Sequence, residues 1–253
     1  MKWLRFLHDG EPCFGRLDGE HVLRHRGDPF GANEPTGERF EAAQLAWLPP
    51  VQPGKVVALW NNFRALAEKN GWAPPAEPLY FLKSAGSVTG PHAEIPAPAE
   101  VGRVSYEGEL AVVIGRRARR VAPEDAASHI FGYTCGNDVT ALELLNQDPA
   151  FTQWTRAKSF DGFCPLGPVI ETDFDPAAAM LRTVVGGRER QNYALSDMFF
   201  PPATLVSRIS HDMTLEPGDV ILCGTSLGVL PMKPGTPVEV SIDGIGTLTN
   251  VYG

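Results

Sequence analysis

Short apolar runs separated by turn residues make up most of the chain. Residues 55–60, 110–114 and 219–223 are mainly apolar and have the length expected of buried strands. Runs of similar length predict further strands at 79–83, 131–134, 166–170, 181–185, 189–193, 237–242 and 246–251. Gly186-Gly187 separates two of these runs by the two residues that a tight hairpin needs.

Helical periodicity is found in only a few places. Residues 203–211 put Leu205, Val206 and Ile209 on one face, which is the pattern of an amphipathic helix. Shorter helices are predicted at 63–69, 122–130 and 141–146. Because strands outnumber helices, and the helices are short, the pattern predicts a β-rich α+β fold.

The first fifty residues form a separate small unit in this reading. Turn signals such as Asp9-Gly10 divide them into short strand-like segments. The sequence Pro49-Pro50-Val51-Gln52-Pro53-Gly54 then predicts a stiff linker. We therefore expect a strand-rich N-terminal domain at 1–52 and a larger catalytic domain at 53–253.

Composition and charge argue against several classes of function. The net charge of −8 disfavours a nucleic-acid-binding surface, and the short cationic run at 116–120 is typical of a solvated turn. No apolar stretch reaches the roughly 18 residues of a membrane-spanning helix. The apolar segment at the N-terminus is too short for a signal peptide. We expect neither a nucleic acid nor a membrane as partner.

Cysteine usage points to a reducing compartment. The four cysteines are far apart in the sequence and include no C-x-x-C pair: Cys13, Cys135, Cys164 and Cys223. Such residues are typical of reduced thiols in or near a protein core. We therefore expect a cytoplasmic protein.

Two glutamates precede the most apolar run of the chain. Glu107 and Glu109 are two residues apart, so in an extended strand both side chains point to the same face. Two like charges at the edge of a core are unfavourable unless they are protonated or bound to a cation. The alternative is that both are solvated at a strand end, where carboxylates are common.

Asp138 follows another predicted strand and is a candidate third carboxylate. Taken alone, Asp138 in Gly136-Asn137-Asp138 is typical of an Asx turn. Together with Glu107 and Glu109 it gives an all-oxygen set that suits Mg²⁺, Mn²⁺ or Ca²⁺. No histidine accompanies them, which makes zinc a poor candidate.

Two further features could act beside a cation. Lys158 is flanked by apolar residues and could balance the carboxylates and hold an anionic substrate, although a solvated lysine is the alternative. Gly224-Thr225 lies in a glycine-rich turn after a strand, where backbone N–H groups can bind a carboxylate or phosphate. The turn lacks the lysine of a P-loop. Ser210-His211-Asp212 has the residue types of a triad, but consecutive residues cannot converge as one.

Several motifs, taken in order, resemble the fumarylacetoacetate hydrolase superfamily. The resemblance extends from about Lys55 to Val251, and the order of the motifs makes it specific. The matching stretches are Tyr106-Glu107-Gly108-Glu109-Leu110-Ala111-Val112-Val113-Ile114-Gly115, Gly132-Tyr133-Thr134, Asn137-Asp138-Val139-Thr140, Arg156-Ala157-Lys158-Ser159-Phe160-Asp161, Leu215-Glu216-Pro217-Gly218-Asp219-Val220-Ile221 and Cys223-Gly224-Thr225.

The resemblance implies a fold and a site. It implies a mixed, coiled β-roll with short flanking helices, usually as a homodimer, acting on a 2-oxo or otherwise enolisable carboxylic acid. It implies a Mg²⁺ or Mn²⁺ ion on Glu107, Glu109 and Asp138. It also implies roles for residues around that ion: Lys158 as a catalytic group, and Lys83, Gly224 and Thr225 at the substrate.

The chain departs from the hydrolytic members of this superfamily in a mobile lid. Those members carry Asn-Tyr-Arg-x-His-x-x-Glu, whose His and Glu activate water. Leu66 stands here at the position of the His and Lys69 at that of the Glu. Neither side chain can replace an imidazole as a general base at neutral pH. The family's Arg and Gln after the Asp motif are also absent, and we expect Gln147 to take the place of that Gln in substrate binding, by a small shift in alignment.

Three functions therefore remain open from the sequence. The superfamily's usual activity places first the metal-dependent hydrolysis of a C–C bond in an acylpyruvate-like acid. The missing His–Glu pair favours instead a decarboxylase or isomerase of a 2-oxo or 2-hydroxy-dienoic diacid, as in the breakdown of aromatic compounds. A non-catalytic protein that kept the metal site is the third hypothesis, and the retained carboxylates and lysine argue against it.

Overall fold

The computed structural model describes all residues from Met1 to Gly253, and strands dominate it. Nineteen strands are present. Those of the first half are β1 Lys2–His8, β2 Glu11–Asp18, β3 His21–Gly27, β4 Asn33–Glu41, β5 Ala46–Leu48, β6 Val56–Trp60, β7 Leu79–Lys83, β8 Val88–Thr89, β9 Glu94–Ile95 and β10 Val104–Ser105. Those of the second half are β11 Gly108–Ile114, β12 Ile130–Asn137, β13 Thr140–Ala141, β14 Cys164–Glu171, β15 Met180–Val185, β16 Arg188–Ala194, β17 Val220–Leu222, β18 Thr236–Ile242 and β19 Gly246–Tyr252.

The helices are few and short. The α-helices are α1 Arg64–Asn70, α2 Leu142–Leu145, α3 Trp154–Lys158 and α4 Pro202–Asp212. Helix α1 is followed by Gly71, which takes the left-handed conformation common for a glycine just after a helix. Helix α4 has a proline in its first turn and buries Leu205, Val206 and Ile209, the face predicted from the sequence.

A large mixed sheet combines strands from the first fifty residues with strands from later in the sequence. Its twelve strands follow the order β4-β3-β2-β1-β14-β12-β11-β17-β6-β7, with β5 beside β1 and β8 beside β14. Most neighbours are antiparallel, but β17 pairs with β6 in parallel. The N-terminal strands belong to this sheet because β1 pairs with β14, with Lys2 opposite Glu171. The division of the chain at residue 52 stays a prediction.

A second sheet packs against the first. It has five strands in the order β16-β15-β18-β19-β9. Leu181 and Val240 of this sheet share one core cluster with Leu110 and Val112 of β11. Strand β11 is buried along its entire length, which explains its continuous apolar sequence. The mixed, β-rich α+β fold predicted from the sequence is confirmed.

One predicted helix is wrong. Residues 122–130 form turns and a short 3₁₀ helix, Ala126–His129, whose hydrogen bonds run from residue i+3 to residue i. Only Ala126 is buried there, so the segment has no apolar stripe to pack as a longer helix would. Val121 is bound to Ser207 and Ser210 of α4, which fixes the direction of the chain before the segment begins.

The four cysteines are buried and unpaired, as predicted. None of the helices is long and apolar enough to cross a membrane.

Candidate metal centre and substrate cavity

Two neighbouring strands bring the three predicted carboxylates together. Glu107 immediately precedes β11, Glu109 is the second residue of that strand, and Asp138 directly follows β12. The strands are antiparallel with Gly108 opposite Asn137, and the Asp138 N–H donates to the Glu107 carbonyl at 2.9 Å. One oxygen of each carboxylate lies within 4.8 Å of the others. The expected convergence of Glu107, Glu109 and Asp138 is therefore present in the structure.

The three carboxylates are not a solvated cluster at a strand end. The side chains of Glu109 and Asp138 are buried, and that of Glu107 is 18% exposed. Glu109 Oε2 accepts a hydrogen bond from the Gly224 N–H at 2.6 Å. Its other oxygen, Oε1, is buried without any partner. An unpartnered buried carboxylate oxygen is strongly unfavourable, so this atom needs a ligand or a proton.

Two buried lysines compensate part of the charge. Lys158 Nζ donates to both oxygens of Glu107 at 3.1 Å, to Asp138 Oδ2 at 2.6 Å and to Thr140 Oγ1 at 2.7 Å. Lys83 donates to Asp138 Oδ1 and, at 2.9 Å, to the Phe163 carbonyl. With all groups ionised, three carboxylates and two ammonium groups leave one formal negative charge. That charge falls on Glu109, which neither lysine contacts.

The pKa values of the cluster reflect this imbalance. Burial, followed by the nearby carboxylates Asp138 and Glu107, raises the pKa of Glu109 well above its ordinary value. Burial also raises the pKa of Glu107, although Lys158 opposes it. Burial would raise the pKa of Asp138 too, but Lys158 and Lys83 outweigh it and lower that pKa. Burial would lower the pKa of Lys158, but Asp138 and Glu107 raise it, so Lys158 is an ammonium at neutral pH.

These observations fit a divalent cation bound by oxygen ligands. Glu109 Oε1 is a free ligand atom, and the carboxylate oxygens are close enough to share one ion. Mg²⁺ and Mn²⁺ are commonly bound by a few carboxylates, with remaining positions for water and substrate. A dication would change the formal charge of the cluster from −1 to +1, which is complementary to an anionic substrate.

The loop after β17 is tied to the same strand. Thr225 Oγ1 donates to the Gly108 carbonyl at 2.9 Å and accepts from Gln191 Nε2 at 2.8 Å. The Gly108 carbonyl also accepts from the Tyr193 hydroxyl at 2.6 Å. A Cβ at Gly108 would lie 2.2 Å from Thr183 Oγ1, so only glycine fits between the two carboxylates at this close approach of the sheets. These contacts fix Gly224 and Thr225 beside Glu109.

A cavity of about 200 Å³ opens next to this cluster. Nine of its fourteen lining residues are hydrophobic. The polar ones are Asn61, Glu107, Thr140, Lys158 and Thr225. The cavity is therefore a largely apolar chamber with its charged groups at the proposed metal centre, as expected of a small-molecule site.

Comparison with known proteins identifies the family of this chain. A family model described as fumarylacetoacetate (FAA) hydrolase, C-terminal, matches residues 55–252. The chain belongs to the fumarylacetoacetate hydrolase family. A second model, described as Rv2993c-like, N-terminal, matches residues 1–50.

Individual relatives of this family are similar over most of their length. Protein Rv2993c of Mycobacterium tuberculosis is 43% identical over 95% of this chain and 89% of its own. A 5-carboxymethyl-2-hydroxymuconate delta-isomerase from Mycobacterium smegmatis superposes with a TM-score of 0.92 at 40% identity, covering 100% of this chain and 99% of the other. Oxaloacetate tautomerase YisK of Bacillus subtilis is 38% identical over 81% of this chain and 72% of its own. The chain thus belongs to a superfamily of enzymes whose members include isomerases, decarboxylases, tautomerases and hydrolases.

Helix α1 contains the two positions at which hydrolytic family members carry the His and Glu of their lid, and it lies at this cavity. Leu66, on α1, lines the cavity at the position where hydrolytic family members carry histidine. Lys69 and Glu68 are exposed and do not line it. Gln147 is also exposed, beyond the end of α2, and lies outside the lining. Its role in substrate binding stays a prediction.

Sequence reasoning missed the roles of two residues of the site. Thr140 binds both Glu107 and Lys158, and Gln191 accepts from the Gly108 N–H at 3.0 Å. The spacing of Thr140 two residues after Asp138 could have identified it, because a strand end places both side chains on one face. Gln191 lies on the second sheet, and no local pattern links it to β11.

Proposed function

We propose that this enzyme uses a divalent cation, Mg²⁺ or Mn²⁺, to enolise a 2-oxo acid, as a tautomerase, isomerase or decarboxylase. The single observation that carries the proposal is the pairing of a carboxylate cluster that has an unpartnered buried oxygen with a cavity whose lining contains no histidine. Enolisation requires stabilisation of developing negative charge, whereas hydrolysis also requires an activated water.

Each part of the proposed chemistry can be assigned to residues of the site. A bound Mg²⁺ or Mn²⁺ would be held by Glu107, Glu109 and Asp138 and would supply Lewis-acid stabilisation of charge on the 2-oxo oxygen. Lys158 and Lys83 hold the carboxylates at fixed separation and keep the centre from carrying excess negative charge. Because the Lys158 pKa is raised, this residue acts as a cation and hydrogen-bond donor in the metal-free protein, not as a base.

The names of similar proteins support the same class of reaction. One is a tautomerase of oxaloacetate and another is a delta-isomerase of 5-carboxymethyl-2-hydroxymuconate. In both types of reaction a proton leaves a carbon of an enolisable acid and a proton is added elsewhere in the same molecule. Decarboxylation differs in that CO₂ leaves, but it also passes charge onto the 2-oxo oxygen.

Hydrolysis of an acylpyruvate-like acid is the second candidate, because the matching family model is that of a hydrolase. The lining of the cavity disfavours it, since Leu66 replaces the water-activating histidine, and Lys69 is exposed and does not line the cavity. A homodimer and a cytoplasmic location stay predictions that sedimentation and cell fractionation would test.

The decisive experiment compares three reactions of the purified protein after EDTA treatment and reloading with Mn²⁺. Oxaloacetate enol–keto exchange, CO₂ release from oxaloacetate, and cleavage of acetylpyruvate are followed separately. We expect metal-dependent exchange or decarboxylation and no cleavage of acetylpyruvate. The control is Glu124→Gln on the exposed surface, which should keep full activity.

Cleavage of acetylpyruvate at a rate above exchange would replace the proposal with the hydrolase. Mn²⁺ binding without turnover across a panel of 2-oxo acids would instead support the non-catalytic hypothesis.

A further inference from the structure

We infer that the substrate carries an aromatic or similarly flat apolar group beyond its 2-oxo acid head, and not a second carboxylate. This inference rests on the proposed function, because it names the class of acid that the same cavity accepts. It is based on the walls of the cavity away from the carboxylates.

A row of four aromatic rings leads from the charged end of the cavity to solvent. Lys158 Nζ lies 5.3 Å from the centre of the Phe81 ring. Phe81 stacks on Trp154 with centroids 5.1 Å apart, and Trp154 lies 6.2 Å from Trp60. Trp60 lies 4.9 Å from Trp72, which is 37% exposed. All four rings line the cavity.

The cavity offers no free cation to a second carboxylate. Lys158 is the only basic residue in its lining. The three N–H donors of Lys158 are already directed to Glu107, Asp138 and Thr140. Asn61 directs one amide N–H to the Ala73 carbonyl at 3.2 Å, so this neutral side chain keeps only one N–H that could face a carboxylate, and its unpartnered oxygen can only accept.

A short diacid would place its second carboxylate against the aromatic walls of the cavity. In oxaloacetate the second carboxylate is only two bonds from the 2-oxo carbon, so it would lie beside Phe81 and Trp154 while the head is at the cation. A carboxylate desolvated against aromatic faces is strongly disfavoured, because the negative face of a ring repels an anion. An aryl group at the same position would stack on those rings.

The volume of the cavity agrees with an aryl acid. An apolar protein cavity of about 150 Å³ holds one benzene molecule. The cavity here is about 200 Å³ and opens past Trp72. It therefore has room for a ring, with the acid head towards Glu107.

The test compares phenylpyruvate with oxaloacetate, which share the 2-oxo acid head and differ in phenyl against carboxylate. With Mn²⁺-loaded enzyme we expect kcat/KM for enol–keto exchange to be at least about 10-fold higher for phenylpyruvate. Trp154→Ala should lower this preference about 10-fold, and Trp154→Phe should restore most of it. Trp47→Phe, at a tryptophan that does not line the cavity, should leave the preference unchanged. Circular dichroism establishes that each variant folds.

Binding measurements separate this inference from the proposed function. Benzoylformate and ketomalonate are 2-oxo acids that cannot enolise, and they differ in the same way, phenyl against carboxylate. Calorimetry on the Mn²⁺-loaded protein should show tighter binding of benzoylformate. That result without turnover of any acid would keep the inference and reject the proposed function.

Equal or better use of oxaloacetate, or tighter binding of ketomalonate, would reject the inference and leave the proposed function standing. Binding of neither compound would also reject it. If Trp154→Ala does not fold, Trp60→Ala supplies the same comparison, since that ring lies in the same row.

Discussion

The two ends of the cavity are built in different ways. At the inner end, Glu107, Asp138, Lys158 and Thr140 hold one another through short hydrogen bonds. At the outer end, the four aromatic rings are joined to one another by ring contacts, and Trp72 reaches solvent. The inner end is interlocked by buried ion pairs, whereas the side chains that form the outer end carry no charge. The charged groups that serve the reaction and the apolar walls that select the substrate are therefore separated in space.

The largest expected effect comes from Glu109 at the inner end. Glu109→Gln keeps the shape of the side chain but removes the charge that needs a cation. We expect metal-dependent kcat/KM to fall by roughly 1,000-fold, because metal stabilisation of the transition state is worth several kcal/mol. Mn²⁺ affinity, measured by calorimetry, should fall with it.

The same variant should raise the thermal stability of the metal-free protein, because it removes an unpartnered buried carboxylate oxygen. Unchanged Mn²⁺ affinity in Glu109→Gln would contradict the assignment of this residue as a ligand. Glu124→Gln controls for loss of a glutamate charge at the surface.

Removal of Lys158 tests how strongly the inner end is interlocked. Lys158→Met leaves Glu107 and Asp138 without their shared ammonium group. Breaking a buried ion pair by deleting one partner destabilises by about 3–5 kcal/mol. Urea denaturation of the metal-free protein should show a loss of this size. Lys69→Met, at an exposed lysine, should change the free energy of unfolding by less than about 0.5 kcal/mol.

A double substitution on α1 tests whether the missing lid pair decides the reaction. Leu66→His with Lys69→Glu restores both residues of the hydrolytic members. Since a positioned general base contributes at least about 100-fold, we expect acetylpyruvate cleavage to rise by about that factor if the lid can close. Leu66→His alone should give a smaller gain, because nothing then orients the imidazole. No gain from the pair would mean that other residues exclude hydrolysis.

The inner end could be predicted from the sequence and the outer end could not. Glu107 and Glu109 are two residues apart beside an apolar strand, so strand geometry alone places them together. The aromatic row comes from β6, the segment after α1, β7 and α3, so no local pattern links its members. The helix predicted at 122–130 failed for a related reason, since contacts with α4 fix that segment's direction. Tertiary packing decided both cases.

The smallest expected effect is a pH dependence that also distinguishes the two ends. Burial raises the Glu109 pKa in the folded, metal-free protein, so this group stabilises the fold below its unfolded pKa. That contribution is lost as pH rises through the raised value. A cation competes with the proton on Glu109, so the increase in Tm caused by Mn²⁺ should grow with pH. Expressed as free energy, the slope of this stabilisation by Mn²⁺ against pH is limited to about 1.4 kcal/mol per pH unit for one proton.

Thermal melts with EDTA or Mn²⁺ from pH 6 to 8 would measure this slope. Trp154→Ala, which alters only the outer end, should keep the slope, whereas Glu109→Gln should remove it. A slope that survives Glu109→Gln would assign the proton to another group.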